Sequence, residues 1–559
     1  MAKKIGDMLK EEGVITEGMI QYALRVQKAT KERLGDTLLK LNFVTDGEIA
    51  RILAKQAKIG FESLDGVAPD PLALSQLPYN FSSKHEILPV SIKANRLQLA
   101  VADPFDENGL EKISRYTAMS FDLFTAPRAK LIRMIEQIYY LAEHPIEQEM
   151  QKVVTDVLAG KPFQAEKVME LLVSTAVETG ASDLHLTSAA FATLVSYRID
   201  GVLHLKYSLP PNMHQRLIST FKVESQMDIA EMKRPQDGRM TFEFLQQKYD
   251  MRVSCIPTSK GENLVIRILA SGDEIRSLEE LGYLPAQLEV ISRAVKSPYG
   301  MILCTGPTGS GKSTSLYGLL RKVNAMENNV MTVEDPVEFQ MPLIRQVPVN
   351  VKAGITFASA IKSFLRQDPD VILVGEIRDE ETATLGVRAA QTGHLVLSTL
   401  HTNDAAGAIA RLRDLGVGNF MLASTLSCVI AQRLVRRLCP HCKEAHVYKL
   451  GDIDVPERIV GRSVFVHKGC DHCRGTGYLG RAAVCEVIEI DDLIKDAIDD
   501  DASPIEIRRI AQTAGMITLR EAAIEMALKG ITDLDEVNRV VKEEKQDRDV
   551  DKGNAKDAA

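Results

Sequence analysis

An α/β class is predicted for this chain, and three observations predict it. An apolar run, Met301-Ile-Leu-Cys304, ends in a glycine-rich loop and continues as a helical segment. Two more apolar runs, Val330 to Val333 and Val371 to Val374, each stop at a carboxylate. Alternating strand patterns precede them, such as Thr193 to Ile199 and Leu264 to Leu269. Unbroken apolar runs next to helical segments are the mark of strands buried on both faces. At 559 residues the chain has room for about three to five domains.

The first sixty residues carry a repeat in which Lys4-Ile-Gly6-Asp recurs 29 positions later as Arg33-Leu34-Gly35-Asp. Leu9 aligns with Leu38, Gly13 with Asn42, Thr16 with Thr45 and Ile20 with Ile49. Each unit reads as helix, tight turn, helix. Gly and Asn are the residues that most readily take the left-handed position closing a helix. Thr16 and Thr45 follow as N-caps, and Thr45 with Glu48 spells a capping box. This gives residues 1–60 as a tandem helical module.

Residues 61–140 read as a small α/β domain and 141–165, polar and acidic, as a linker. A mixed α/β module spans 166–272 and the P-loop domain 285–490, with a four-cysteine subdomain at about 437–487. A helical region (491–545) and a charged, disordered tail (546–559) complete the order. The longest chargeless stretch, Leu415 to Gln432, is too polar for a membrane span and reads as core loop and helix.

Gly306-Pro307-Thr308-Gly309-Ser310-Gly311-Lys312-Ser313-Thr314 fits the pattern of a glycine, four residues, then Gly-Lys-Ser, between a strand and a helix. Glycines let successive N–H groups turn toward phosphate oxygens, and the helix start adds its positive end. Lys312 reaches the β- and γ-phosphates, and the Ser313 hydroxyl ligates Mg²⁺. A nucleoside triphosphate with Mg²⁺ is therefore the expected ligand.

Hydrolysis needs acidic groups near the γ-phosphate. Glu376 follows Val371-Ile-Leu-Val374-Gly375, and Glu334 follows Val330-Met-Thr-Val333. The division expected is Glu334 for the attacking water and Glu376 for the metal's water shell. The alternative is that Glu334 and Asp335 cap a loop. His394 and His401 flank one strand and are expected to sense the γ-phosphate; the alternative is a core histidine.

Cys439-Pro-His-Cys442 and Cys470-Asp-His-Cys473 form two knuckles. Four thiolates suit tetrahedral Zn²⁺ with no open position, hence a structural or interaction role. Net charge −8 and pI near 5.9 argue against a general nucleic-acid binder. Met1-Ala-Lys-Lys-Ile is no secretory signal, so a cytosolic setting is expected.

The P-loop, Glu334-Asp335-Pro336, Gly375-Glu376-Ile377-Arg378-Asp379 and the two-histidine segment together resemble the type II secretion and type IV pilus assembly ATPases. Ala181-Ser-Asp183-Leu-His185-Leu, Tyr197-Arg198-Ile-Asp200-Gly201 and Arg234-Pro-Gln-Asp-Gly238-Arg239 look like the domain that precedes that family's motor. The pattern departs at Gly375, where an Asp is usual. The resemblance implies a RecA-like ATPase domain behind a PAS-like domain, assembled as a homo-hexamer with ATP between subunits. It further implies that Arg239, Arg252 and Arg267 deliver positive charge to a neighbour's γ-phosphate. Partners implied are an inner-membrane platform protein and a recruitment protein, with membrane association only through them and no nucleic acid. The site of action implied is the cytoplasmic face of the inner membrane.

The four-cysteine pattern and the N-terminal extension point to assembly rather than retraction. The tandem units are similar to a cyclic di-GMP-binding module, implying a site at Lys4, Gly6, Arg33, Leu34 and Gly35. Lys4 lacks arginine's bidentate fork and stacking face. A docking module for a membrane partner is the alternative there, and a nucleic-acid translocase or a non-hydrolysing nucleotide sensor for the whole chain.

Overall fold

The computed structural model describes residues 4–65, 67, 69–245, 247–269, 275–449, 455–456 and 458–541. The tail expected to be disordered lies outside the described residues. The chain divides into two compact units, residues 1–52 with 274–559, and residues 53–273.

The first unit is built on a seven-stranded sheet in the order Arg345–Pro348, Val330–Glu334, Val371–Val374, Leu395–Leu400, Gly300–Thr305, Leu426–Leu438, Tyr478–Glu489. All neighbours run parallel except the last pair. Every residue of Gly300–Thr305, Val371–Val374 and Leu395–Leu400 is buried, because helices cover both faces. Lys312–Lys322 and Pro285–Lys296 pack with Ile302, Cys304, Leu373 and Leu397. Phe357–Phe364, Glu380–Gln391 and Ala405–Asp414 pack on the other side with Met301, Leu303 and Val374.

Parallel strands align their C-terminal ends, so the P-loop and the acidic turns emerge along one edge. The helices from Asp492 to Val540 bury Ile494, Ile498, Ile507, Ala523 and Val537 in this same core. The chargeless stretch is corrected in part: its second half is not loop or helix but the strand Leu426–Leu438, whose apolar run is simply a buried strand.

The repeat folds as Ile5–Glu11 and Glu17–Thr30, then Leu34–Lys40 and Asp46–Ala57. Gly13 and Asn42 take φ of +71° and +55°, the left-handed closure of each first helix. Thr16 accepts from the Met19 N–H, and Thr45 exchanges bonds with Glu48 at 3.0 and 2.7 Å.

The two copies differ in burial. Thr16, Glu17 and Gly18 are exposed, whereas Thr45, Asp46 and Gly47 are buried, because the second copy is seated on the seven-stranded lobe. Glu48 pairs with Arg321 at 2.9 Å, Arg51 with Glu280 at 3.2 Å, and Asn42 Nδ2 donates to the Gln340 carbonyl. Arg321 lies in the last turn of the P-loop helix.

In the second unit, Gly60–Phe61, Phe121–Thr125, Arg96–Val101 and Ile87–Lys93 form a four-stranded sheet. A six-stranded antiparallel sheet follows, in the order Val202–Leu209, Thr193–Ile199, Asp183–Ser188, Gly261–Leu269, Gln247–Thr258, Gln236–Phe244. One face carries Leu184, Leu186, Val195, Tyr197, Met251, Val253, Leu264 and Ile266 into a core shared with Ala165–Glu178 and His214–Glu224.

The expected linker is corrected. Residues Ile146–Leu158 form a helix whose Ile146, Met150 and Val157 join that core beside half-buried Val153 and Val154. The apolar positions recur at helical spacing, and the acidic residues between them conceal the stripe.

Candidate active site

The strand Gly300–Thr305 delivers the glycine-rich loop, and the helix Lys312–Lys322 leaves it. Gly306 and Gly311 have φ of +149° and +87°. A Cβ on Gly306 would lie 2.5 Å from the Gln432 carbonyl, and one on Gly311 2.8 Å from Gln432 Nε2, so only glycine fits against Leu426–Leu438. Lys312 Nζ donates to the Gly306 and Pro307 carbonyls at 2.9 and 3.1 Å.

Burial lowers the Lys312 ammonium from its ordinary pKa, while the Glu376 carboxylate opposes that and Arg433 adds to it. Ser313 is exposed at the helix start, and the buried Ser310 hydroxyl has no hydrogen-bond partner among the described residues. Loop curvature, an aimed ammonium and a spare buried hydroxyl fit a nucleotide's phosphates with their Mg²⁺.

Glu376 lies two residues beyond Val371–Val374, a strand one removed from the P-loop strand. Its carboxylate touches Arg378 and lies 3.7 Å from His401 Nε2. Burial first, then Lys312, lowers the His401 pKa, and Glu376 raises it.

Glu334 ends the next strand and is only 5% exposed. Oε2 accepts from the Tyr317 hydroxyl at 2.5 Å, and Oε1 accepts from Thr332 Oγ1 at 2.6 Å and Gln346 Nε2 at 3.2 Å. The departure at Gly375 has a physical reason. A Cβ there would stand 3.2 Å from the Val333 carbonyl and 3.4 Å from Glu334 Cα and the Phe357 ring. The bare backbone lets the two acidic strand ends close up.

His394 is corrected. It stands at the start of Leu395–Leu400, where its carbonyl accepts from Gly300 N at the beginning of the P-loop strand. That is a full strand, about 20 Å by rise per residue, from the loop after Thr305. Its Nδ1 donates to the Ala389 carbonyl at 2.8 Å, closing the end of a helix. His401, at the other end of the strand, stays with the site.

Four contributors escaped the sequence reading. Gln432 Oε1 accepts from the Tyr283 and Ser315 hydroxyls at 2.9 and 2.7 Å, beneath the loop. Arg433 donates to the Asn403 carbonyl at 2.8 Å, and burial lowers its pKa. Tyr317 and Gln346 hold Glu334. None belongs to a spacing motif; only register and packing bring them in.

The second unit gathers the sequence-assigned arginines. Cross-strand pairing sets Arg239 opposite Arg252, Arg252 opposite Arg267, Arg267 opposite Asp183 and Asp183 opposite Arg198. Directly paired residues share a face, so four arginines and one aspartate form a row across five strands, on the face away from the core. Asp183, 5% exposed, accepts from Arg267 Nε at 3.0 Å, with Arg198 Nε at 3.7 Å. His185 shares this face, two residues along. Burial, followed by the Arg198 charge, lowers its pKa, and its buried Nε2 has no partner among the described residues.

The four cysteines converge. Sγ–Sγ distances are 3.8 Å for Cys439–Cys470, 3.8 Å for Cys442–Cys473 and 3.7 Å for Cys470–Cys473. A tetrahedron with Zn–S bonds of about 2.3 Å has edges of about 3.8 Å. Backbone N–H groups of Gly469, Cys470 and Gly477 point at the sulfurs, as thiolate ligands need.

Lys4 and Arg33 occupy the same N-cap slot in the two repeats. A Cβ on Gly6 would touch Leu34, and one on Gly35 would touch Ile49, so these positions are packed between helices.

A family model described as Type II/IV secretion system protein matches residues 161–539, and one described as MshEN domain matches residues 57–145. The second match begins after Lys4, Gly6, Arg33, Leu34 and Gly35. The Type IV pilus assembly ATPase PilB of Thermus thermophilus is 37% identical over 580 residues, covering 96% of this chain and 65% of that protein. Type II secretion system protein E of Aeromonas hydrophila is 42% identical over 384 residues, covering 68% of this chain and 76% of that protein. The X-ray structure of the Legionella pneumophila ATPase DotB aligns with a TM-score of 0.50 at 20% identity, over 66% of this chain and 94% of that one. That likeness concerns the fold, which is RecA-like in the seven-stranded lobe.

Proposed function

Because this chain belongs to the Type II/IV secretion system protein family, we propose that it is an ATP-hydrolysing motor driving assembly of a type IV pilus or a related pseudopilus. The single observation that carries the reading lies along one edge of one parallel sheet. There Lys312 and Glu376 are in electrostatic reach, with Glu334 one strand further on. The Thermus pilus ATPase aligns over 96% of this chain and the Aeromonas secretion protein over 68%, which favours the pilus.

Chemistry follows from the groups present. The P-loop amides and Lys312 bind and orient the triphosphate of ATP. Mg²⁺, when bound by Ser313 and through water by Glu376, draws charge from the β- and γ-phosphates. Glu334 aligns the attacking water and takes its proton on the carboxylate lone pair its neighbours leave over. The transferring phosphoryl group needs positive charge on its outer side. The row Arg239–Arg252–Arg267 of a neighbouring subunit supplies it in a homo-hexamer, Asp183 holding that row in place.

The cysteine tetrahedron holds Zn²⁺, which ties the two cysteine knuckles together as a structural element. Cyclic di-GMP is the regulatory ligand this reading assigns to the N-terminal region, with Lys4, Gly6, Arg33, Leu34 and Gly35 as its contacts. The MshEN match at residues 57–145 supports the ligand class and directs the search to the adjoining α/β module as well. Action at the cytoplasmic face of the inner membrane, through platform and recruitment partners, completes the proposal. No helix of the described residues is long and apolar enough to cross a membrane, which fits attachment through partners.

Turnover of ATP with Mg²⁺ by Glu334→Gln and Glu376→Gln tests the assignment. Each variant is expected to lose at least about a hundredfold in kcat, with no stimulation of the wild type by single-stranded DNA. Unchanged hydrolysis in both variants contradicts the motor reading. Strong DNA stimulation that falls steeply with salt favours a translocase instead.

A further inference from the structure

Tyr317 lies five residues beyond Lys312 on the P-loop helix and is 2% exposed. At a rise of about 1.5 Å per residue, its ring begins about 7.5 Å down the helix from that lysine. Its hydroxyl donates to Glu334 Oε2 at 2.5 Å. The Tyr317 hydroxyl oxygen in turn accepts from the Glu338 N–H at 3.3 Å and the Phe339 N–H at 3.2 Å, both in the segment that follows Glu334. A phenol has one proton and two acceptor sites, so this hydroxyl is fully used. The Phe339 ring meets the Tyr317 ring edge to face at 5.2 Å. One side chain thus joins three things: the helix that leaves the nucleotide loop, the buried carboxylate, and the backbone after that carboxylate.

We infer that Tyr317 is a positioning residue for hydrolysis, setting the orientation of Glu334 from the P-loop helix. The inference rests on the reading that Glu334 aligns the water. A carboxylate with oxygens held from Tyr317 on one side and from Thr332 and Gln346 on the other cannot rotate, so its remaining lone pair has one direction. A shift of the P-loop helix moves the phenol and therefore the carboxylate. A phenylalanine would fill the same space, so packing alone does not require the hydroxyl.

The test is Tyr317→Phe in the full chain, read by ATP turnover and by the affinity of a fluorescent ATP analogue. The expected result is a kcat about tenfold lower with KM and analogue affinity within about twofold. In the Glu334→Gln background, Tyr317→Phe should cost nothing further. A fluorinated tyrosine at position 317 keeps both the packing and the donor, so turnover should stay within about twofold of the wild type.

Wild-type kcat in Tyr317→Phe, or a fluorotyrosine protein as slow as Tyr317→Phe, overturns the inference. So does a full extra loss on top of Glu334→Gln, or a collapse of analogue affinity in Tyr317→Phe. Glu334→Gln turning over at the wild-type rate is a different failure: it removes the assignment of Glu334 and the inference with it. Loss of activity in Glu334→Gln with an unaltered Tyr317→Phe removes only the role of Tyr317.

Discussion

Removing the Arg321 guanidinium should release the second N-terminal repeat from the ATPase lobe. Arg321 and Glu48 side chains are 9% and 16% exposed and meet at 2.9 Å. A charge-assisted bond of this kind contributes about 1.5–3 kcal/mol. Residual solvent screening puts this pair near the lower end, so about 1.5 kcal/mol, or roughly tenfold in the docking equilibrium. Glu48 also accepts from Thr45 N. Glu48→Gln keeps that acceptor and loses only the charge, which makes it the matched partner to Arg321→Met.

Native-state hydrogen exchange over residues 43–52 of the full chain measures the opening directly. Each single variant should raise exchange there about tenfold, and the double variant should add little to either. The equivalent first-repeat segment, residues 14–23, is not held by this pair and should exchange as before. Protection at 43–52 that is unchanged in Arg321→Met, or an equal rise in both repeats, refutes the reasoning.

The cysteine cluster predicts one equivalent of zinc per chain by elemental analysis. Cys442→Ser should lose it together with exchange protection between Leu438 and Tyr478; full retention of zinc contradicts the tetrahedral reading. His185 predicts an acid sensitivity. Its folded pKa is depressed below 6.5, so the unfolded chain takes up a proton first as pH falls. Stability is therefore lost from about that pH downward. The urea midpoint, followed by circular dichroism, should fall on acidification less in His185→Asn than in the wild type; identical curves exclude the group.

Much of this molecule was legible because some features are local. The P-loop is a spacing of glycines around one lysine, and Gly13 and Asn42 close equivalent helices, as their shared slot implies. The knuckle spacing anticipates a cluster that the fold assembles from two loops. What was not legible is non-local. Arg198 and Asp183 join the arginine row only through the register of an antiparallel sheet, and no letter in the sequence states that register.

Tyr317 reads as one more apolar residue of a helix until Val330–Glu334 is placed beside it. His394 failed for a related reason: spacing along a strand does not say which end faces the ligand. The helix Ile146–Leu158 was hidden because acidic and amide residues are interspersed through its apolar stripe. Gly375 looked like a lost aspartate, but the closeness of Val333 and Glu334 accounts for it.

The central claim is that one subunit's P-loop works only with a neighbour's arginine row, and mixing two inactive variants tests it most directly. Lys312→Ala lacks the loop's ammonium and Arg252→Gln lacks a member of the row, so each should be nearly inactive alone. Co-assembled in equal amounts, one site in four pairs an intact loop with an intact row, and about a quarter of wild-type turnover should return. A mixture no more active than its separate components contradicts the account.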